Sequence, residues 1–348
     1  MSNWLTYSPT SGHGNGQIII TADVLSSLES RVNTLVAMND DYSLTATTEI
    51  EQIPFNPTSL TEYLTFEIIS GGTIYWKSGD ASFSRTIYYS KDSGTTWASI
   101  TSTTGGTEIN TVNGDAVIFK GDNSTYNEMN PFFTNRTKFT FSDGMRLNLR
   151  GNIMSLINST NFSNLDTLVA DYTFDGLFAG GDAILNAREL QLPAIVLSME
   201  CYGGMFQGCK SLITAPELPA TTLAQSCYAY MFFGCSALTT APSILPALSI
   251  SQKDACYGDM FVGCTSLTTA PELPATTLGK YCYEYMFEDC TNLQYVKCLA
   301  TDKSAEDCTN GWMRNVPSGQ GTFVKHKDAT WGRGYNDIPK GWTVIDAT

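Results

Sequence analysis

The sequence predicts a mainly β, multidomain protein that contains a stack of repeats. Before residue 168, short segments rich in β-branched and aromatic residues alternate with Gly, Asp, Asn and Ser, which is typical of antiparallel sheets. A motif then recurs every 26 to 29 residues, and 348 residues with 42% apolar content suffice for several domains. The predicted regions are a small β-sandwich (1–54), an antiparallel β-sandwich (55–168), an α/β solenoid (169–313) and a C-terminal cap (314–348).

Two sequence blocks define the repeat. SLITAPELPATTL (211–223) recurs as SLTTAPELPATTL (266–278), and ALTTAPSILPALSI (237–250) is a diverged copy between them. Each copy is linked to a second block, found as CYGGMFQGC (201–209), CYAYMFFGC (227–235), CYGDMFVGC (256–264) and CYEYMFEDC (282–290). Because such short units cannot each bury a core alone, we expect them to stack as a solenoid.

The second block is expected to supply the core of the stack. Its Cys, Met-Phe and Cys residues are spaced to lie on one face of a short helix or helical turn, and the following TAPEL stretch is expected to be a short extended segment that ends near proline. We interpret its aromatic and Met residues as core rather than as a cofactor pocket. The predicted repeat core is Tyr202, Met205, Phe206, Tyr228, Met231, Phe232, Tyr257, Met260, Phe261, Tyr283, Met286 and Phe287.

All ten cysteines lie between Cys201 and Cys308. The tight CxxC pairs of a zinc ribbon are absent, so metal binding is disfavoured. An even number of cysteines leaves disulfides open, but the first residues show no secretory signal peptide. We therefore favour stacked free thiols, which act as small apolar residues in a reducing compartment.

Four aromatic residues in the region 55–168 have two interpretations. Trp76, Tyr88, Tyr89 and Trp97 lie in or beside the predicted strands GTIYWKSG, RTIYYSKD and TTWASI. They are either platforms on which sugar rings stack or core residues of the sandwich, and the core interpretation is favoured because aromatic residues are common inside sandwiches.

Composition disfavours several functional classes. A net charge of -14 argues against nucleic-acid or anionic-membrane binding, which require a basic face. Runs of 18 apolar residues are absent. With only two histidines and no Ser/His/Asp arrangement, the sequence predicts no catalytic, cofactor-binding or metal-binding residue and no cofactor. A glycosidase with two carboxylates leaves no local motif and stays open.

Two resemblances suggest a function. The blocks CYxxMFxGC and SLxTAPELPATTL resemble the surface-protein type of leucine-rich repeat found in gut bacteria and their phages, over residues 173–313. The tail IPKGWTVIDAT is similar to the usual ending of such chains. NWLTYSPTSGHGNGQIIITAD (3–23) resembles the opening of a BACON domain, an immunoglobulin-like β-sandwich. The repeat resemblance implies adhesion and surface binding, and the BACON resemblance implies carbohydrate binding or adhesion.

Together these features resemble a fibre protein of a gut (crAss-like) bacteriophage. The resemblance implies a structural protein of the virion, assembled in the host cytoplasm and without enzymatic activity. Its N-terminal domain would dock onto capsid or tail proteins, and the repeats would contact a host surface glycan. A head fibre is favoured over a tail fibre because a long shaft is absent. We expect a homotrimer or homodimer formed through the N-terminal half.

Two alternatives belong to other classes. A bacterial cell-surface adhesin or glycan-binding lipoprotein would need a leader and a lipobox cysteine, but no cysteine precedes Cys201. A glycan-degrading tailspike enzyme would cleave the host capsular polysaccharide, and we expect that activity to be undetectable.

Overall fold

The computed structural model describes four strands of the N-terminal region and residues 60–128, 136–319 and 321–347. The chain divides into two compact units, Met1–Pro57 and Thr58–Thr348. Both are mainly β. The predicted boundary at residue 54 lies outside the described residues, and the predicted boundaries at 168 and 313 fall inside the second unit.

The first unit contains two antiparallel strand pairs among its described residues. Strands β1 (Leu5–Ser8) and β2 (Ile19–Ala22) pair with each other, as do β3 (Arg31–Met38) and β4 (Thr45–Gln52). The remainder of the segment that resembles a BACON domain lies outside the described residues.

The second unit begins with two sheets. A six-stranded sheet has the order β13-β12-β5-β10-β7-β8, and a three-stranded sheet has the order β11-β6-β9. All their pairings are antiparallel except that of β12 with β13. Two short 3₁₀ helices, Ile153–Leu156 and Phe162–Asn164, precede β13. The strands are β5 (Leu64–Ser70), β6 (Gly72–Ser78), β7 (Thr86–Ser90), β8 (Ala98–Thr101), β9 (Thr107–Thr111), β10 (Ala116–Lys120), β11 (Thr137–Phe141), β12 (Arg146–Asn152) and β13 (Ile184–Gln191).

Aromatic residues from both sheets share one core. Phe66 of β5 lies 4.6 Å from Phe119 of β10 and 4.9 Å from Phe139 of β11, measured between ring centroids. Trp76 of β6 contacts the same Phe139 ring at 4.6 Å, and its indole N–H donates to the carbonyl of Arg85. Since all four rings are fully buried, they fix the N-terminal end of the core that the repeats continue.

The repeat blocks are successions of tight turns, and the predicted short helix is wrong. We call each ten-residue stretch that begins at residue 172, 200, 226, 255, 281 or 307 a turn block. In each block the first, fifth and ninth residues have positive φ, as at Glu200 (50°), Gly204 (53°) and Gly208 (72°). A left-handed residue at every fourth position breaks the right-handed helix and closes a new turn.

Backbone hydrogen bonds alternate between two directions in these blocks. Met205 and Gln207 donate their N–H groups to carbonyls three residues back, which closes the local turns. Gly204 and Phe206 instead donate to Ala229 and Met231 of the next block, at 2.8 and 2.9 Å. This alternation satisfies the polar backbone inside a buried stack without a helix or a long strand.

Side chains of successive blocks stack in two files of rings. One file runs from Tyr126 through Phe174, Tyr202, Tyr228, Tyr257 and Tyr283 to Trp312. The other runs from Phe139 through Phe178, Phe206, Phe232, Phe261 and Phe287 to Trp312. Adjacent centroids lie 5.4 to 6.2 Å apart in these files. The core therefore passes without a break from the sheets to the end of the repeats.

The segments between turn blocks add parallel β-bridges rather than full strands. Asn186, Thr214 and Thr240 form one column of bridges, and Thr269 bridges to Tyr295. Prolines shortly after these threonines remove backbone donors and prevent longer ladders.

The C-terminal residues extend the bridge column into a sheet. Strands β14 (Tyr295–Cys298), β15 (Thr322–Lys325) and β16 (Thr343–Asp346) form a parallel sheet. Trp331 of the tail stacks on Trp312 at 5.2 Å, and the indole N–H of Trp342 donates to the carbonyl of Pro317. These contacts cover the last turn block.

All ten cysteines are free and buried, in agreement with the favoured prediction. The later cysteine of each repeat donates its thiol to a carbonyl of the preceding block, as from Cys209 to Phe178 (3.2 Å) and from Cys235 to Phe206 (3.1 Å). Burial raises the pKa of the Cys209 and Cys227 thiols to about 12. Both the thiolate fraction and reagent access are therefore low in the native state.

Alkylation tests this arrangement. Native protein at pH 8 should resist iodoacetamide, whereas protein unfolded in guanidinium without a reductant should add one label to each of its ten cysteines. Intact-mass spectrometry counts the labels. Fewer than ten labels in the unfolded protein would reveal disulfides and contradict the thiol assignment.

A second prediction concerns the tyrosine file. The buried hydroxyl of Tyr228 has no hydrogen-bond partner among the described residues, while its ring stacks between Tyr202 and Tyr257 at 5.7 Å on each side. Tyr228→Phe keeps the ring and removes an unpaired polar group that costs about 1–3 kcal/mol when buried. We expect the free energy of unfolding to rise by about 1 kcal/mol.

Tyr126 is the matched control. Its equally buried hydroxyl donates to the carbonyl of Leu156 at 2.6 Å and accepts from Asn123. Tyr126→Phe should therefore lower the free energy of unfolding by about 1–2 kcal/mol. Urea denaturation followed by fluorescence measures both variants. Equal losses in the two variants would show that Tyr228 is also hydrogen-bonded.

Candidate functional site

The residues predicted from sequence occupy two different environments. All twelve residues of the predicted repeat core are at most 1% exposed. Of the four aromatic residues considered as sugar platforms, Trp76 is fully buried, Tyr89 and Trp97 are half-buried, and Tyr88 is 38% exposed. Trp97 packs edge-on against Tyr63, and the ammonium of Lys120 lies 4.0 Å from its ring centroid.

The turn blocks present a variable outer face. In the four blocks that begin at residues 200, 226, 255 and 281, the inner positions repeat the same Cys, Tyr, Met, Phe and Cys residues. The first, fourth, fifth and eighth positions differ from block to block. The fourth position, for example, holds Asp175, Gly203, Ala229, Gly258, Glu284 and Asn310. Of the residues at these four variable positions, Tyr230, Asp307 and Arg314 are exposed, and the others are half-buried or buried. A constant core beside variable outer positions is typical of repeat proteins that bind through one face.

A cleft of about 400 Å³ opens on this outer face. Its floor is formed by Gly203, Gly204 and Ala229. Later blocks carry larger residues such as Glu284 and Tyr285 at the same positions, so the small residues are the reason that a cleft exists here. The described residues that line it are Arg136, Asp175, Glu200, Gly203, Gly204, Gln207, Ser226, Ala229 and Tyr230.

A buried ion pair forms one wall of the cleft. Arg136, which immediately precedes β11, places Nε and Nη2 each 3.1 Å from a carboxylate oxygen of Asp175. The side-chain amide of Asn127 also donates to that carboxylate. Burial raises the pKa of Asp175, and the Arg136 guanidinium opposes the rise. This bidentate pair is rigid and leaves the wall close to neutral.

Glu200 and Gln207 add polar groups to the same cleft. Burial and the nearby Asp175 carboxylate raise the pKa of Glu200, and Arg136 lowers it. Neither the Glu200 carboxylate nor the Gln207 amide has a hydrogen-bond partner among residues 60–128, 136–319 and 321–347. Their hydrogen-bonding capacity is therefore open to a ligand.

Tyr230 forms the opposite wall. It is 44% exposed and has a φ of 59°, a conformation that costs an L-residue roughly 1–2 kcal/mol. The centroid of its ring lies 6.0 Å from that of Phe233, and burial together with the nearby Asp259 carboxylate raises the pKa of its hydroxyl to about 12. Phe233 thus supports the ring at the edge of the cleft.

Beyond Tyr230 the outer face is acidic and largely paired with itself. Burial raises the pKa of Asp259 to about 6; the Tyr230 hydroxyl opposes the rise, and the charges of Glu284 and Glu288 add to it. Glu288 accepts from the Arg314 guanidinium, and Glu284 accepts from Asn310 at 2.9 Å. Glu284 and Glu288 therefore already have hydrogen-bond partners, in contrast to Glu200 and Gln207 of the cleft.

Sequence reasoning did not identify the cleft. Arg136 is 39 residues from Asp175 in the chain, and no local motif connects them. The signal that was present is the pair Gly203-Gly204, where the equivalent pairs Ala229-Tyr230 and Glu284-Tyr285 are larger. An exposed depression follows from such a local loss of side-chain volume.

Known proteins give no guide to this site. No protein family, no curated protein and no solved structure matches the chain. Within the described ranges, no group of three or more His, Cys, Asp or Glu side chains is placed to hold a metal ion. In the same ranges, no helix is long and apolar enough to cross a membrane.

Asp259 gives the outer face a testable pH dependence. Its folded-state pKa of about 6 exceeds the model-compound value of 3.8, so the folded protein binds the proton more tightly. The contribution of this tighter proton binding to the free energy of unfolding is fully present below about pH 4 and is lost as the pH rises through 6. Asp259→Asn should thus raise the free energy of unfolding at pH 7.5, by about 1 kcal/mol after solvent screening of this half-buried group.

The substitution isolates charge because Asn tolerates the positive φ of residue 259 (56°) as well as Asp does. Urea denaturation of both proteins at pH 4 and pH 7.5 makes the measurement. The stabilisation should be absent at pH 4. A stabilisation of equal size at both pH values would refute the assigned pKa.

Proposed function

We propose that this protein is a structural fibre of a bacteriophage particle, attached to the head, that adheres to the host surface through the outer face of its turn blocks. In this proposal the first unit is an immunoglobulin-like docking domain. The second unit comprises an antiparallel sandwich and a leucine-rich-repeat-like solenoid with its cap. The virion is its location, and the docked form is a homotrimer or homodimer.

The observation that carries the adhesive part is the outer face itself. A continuous core and an alternating hydrogen-bond ladder hold the backbone fixed, while the side chains at the outer positions change from block to block. The division of the chain into Met1–Pro57 and Thr58–Thr348 supports separate roles in attachment and display.

The cleft supports binding rather than hydrolysis. Among the described residues that line it, Asp175 and Glu200 are the two carboxylates, as a glycosidase would need. However, Asp175 is engaged by Arg136 in a bidentate pair and by Asn127. A carboxylate held in this way is a poor nucleophile and a poor proton donor. The same face would also serve a bacterial cell-surface adhesin, which is the second candidate.

Immunogold labelling of purified phage particles with an antibody to residues 173–313 tests the location. We expect label on the capsid. Label on the tail would show that the protein is a tail fibre rather than a head fibre. Label on bacterial cells, with none on particles, would favour the cell-surface adhesin.

Deletion of residues 1–57 tests docking separately. The shortened protein should keep its turn blocks folded, as judged by circular dichroism, and should be absent from particles. Full-length Tyr230→Ala is the matched control and should be incorporated normally, because residue 230 lies outside the first unit. Incorporation of the shortened protein would refute docking through the first unit.

A further inference from the structure

We propose that the cleft between Arg136 and Tyr230 binds one pyranose ring of a neutral glycan. The inference rests on the proposed adhesive function and names its ligand class and its site. It is carried by the geometry of the described residues that line the cleft: an aromatic wall, polar groups without partners and a floor of small residues.

The size and lining of the cleft suit a small ring rather than an extended chain. Its volume of about 400 Å³ lies within the roughly 300–1,000 Å³ of small-molecule sites. Gly203 and Gly204 are buried and have no side chain at the floor, so a ligand can approach their backbone closely. Larger equivalents in later blocks, Glu284 and Tyr285, limit this depression to the first part of the array.

Tyr230 supplies the surface on which a sugar ring packs. A pyranose has an apolar face of C–H groups that fits the flat face of an aromatic ring, while its rim of hydroxyls stays polar. The contact of Tyr230 with Phe233 restricts the ring before a ligand arrives. This preorganisation reduces the entropy lost on binding.

The unpartnered polar groups match sugar hydroxyls. The Glu200 carboxylate only accepts hydrogen bonds, whereas the Gln207 amide both donates and accepts. Sugar hydroxyls also both donate and accept hydrogen bonds. A sugar ring can therefore donate to the Glu200 carboxylate and can donate to or accept from the Gln207 amide. A purely apolar ligand would instead leave these two groups desolvated and unpaired.

Charge decides between neutral and acidic sugars. The Arg136 guanidinium is committed to Asp175 in the buried pair, so Glu200 leaves a net negative charge in the cleft. Asp259 lies beside Tyr230, and the whole chain carries -14. Sialic acid and uronic acid residues would meet this field unfavourably, which selects a neutral ring.

A panel of immobilised oligosaccharides tests the assignment with the full-length protein. The neutral members end in glucose, galactose, mannose or N-acetylglucosamine, and matched members end in sialic or glucuronic acid. We expect binding to at least one neutral member and none to its acidic counterpart. Titration calorimetry then gives the Kd of the strongest binder.

Four variants assign the binding to the cleft. Tyr230→Ala should weaken it at least tenfold, while Tyr230→Phe should retain it because the ring remains. Ala229→Gln should also abolish binding by filling the cleft; this position accepts longer side chains in other blocks, as Glu284 and Asn310 show. Tyr285→Ala is the matched control, since residue 285 has the same block position and a positive φ (50°) outside the cleft.

Each outcome bears on the proposal. Equal losses in Tyr230→Ala and Tyr285→Ala, unchanged binding by Ala229→Gln, preference for acidic glycans, or no binding to any neutral member would each overturn it. Capsid labelling without glycan binding would overturn the cleft assignment and leave the fibre role intact. Glycan binding by a protein that is absent from particles would overturn the fibre role and leave the cleft assignment intact.

Discussion

The alternation of backbone hydrogen bonds within the turn blocks determines the rest of the structure. One N–H closes a local turn, and the next is donated to the following block, so neither backbone nor spacing can change without unpairing buried groups. At this spacing, flat rings in equivalent positions stack at 5.4 to 6.2 Å. The repetition of Tyr and Phe at inner positions is therefore a consequence of the backbone ladder.

The same backbone ladder leaves the residues at the outer positions free to vary. Because packing and hydrogen bonding are completed by inner positions, the fourth position of a block can hold the buried Gly203 in one case and the half-buried Glu284 in another. The cleft arises where small residues occupy two adjacent outer positions beside the Arg136–Asp175 pair. Its walls are held by the ion pair and by ring contacts, so binding demands little reorganisation.

Sequence alone predicted the mainly β class, the burial of the repeated Tyr, Met and Phe residues and the free thiols. It failed on the turn blocks, because apolar residues at steps of four and five fit both a helix and a series of four-residue turns. Gly204 and Gly208, four residues apart, were the distinguishing signal. The cleft could not be predicted from the sequence, because Arg136 contacts Asp175 of the first block only through the tertiary arrangement of β11 and that block.

Turn blocks meet the cost of positive φ in two ways. At the ninth position four blocks have glycine, which avoids this cost, and a Cβ added to Gly208, Gly234 or Gly263 would lie 3.8 or 3.9 Å from the preceding glycine of the column; Asp289 and Asn315 take this position in the last two blocks. The fifth position has the same φ range, yet Tyr230, Asp259 and Tyr285 occupy it. Tyr230 therefore keeps a side chain at a position where glycine would be less strained, and that side chain lines the cleft.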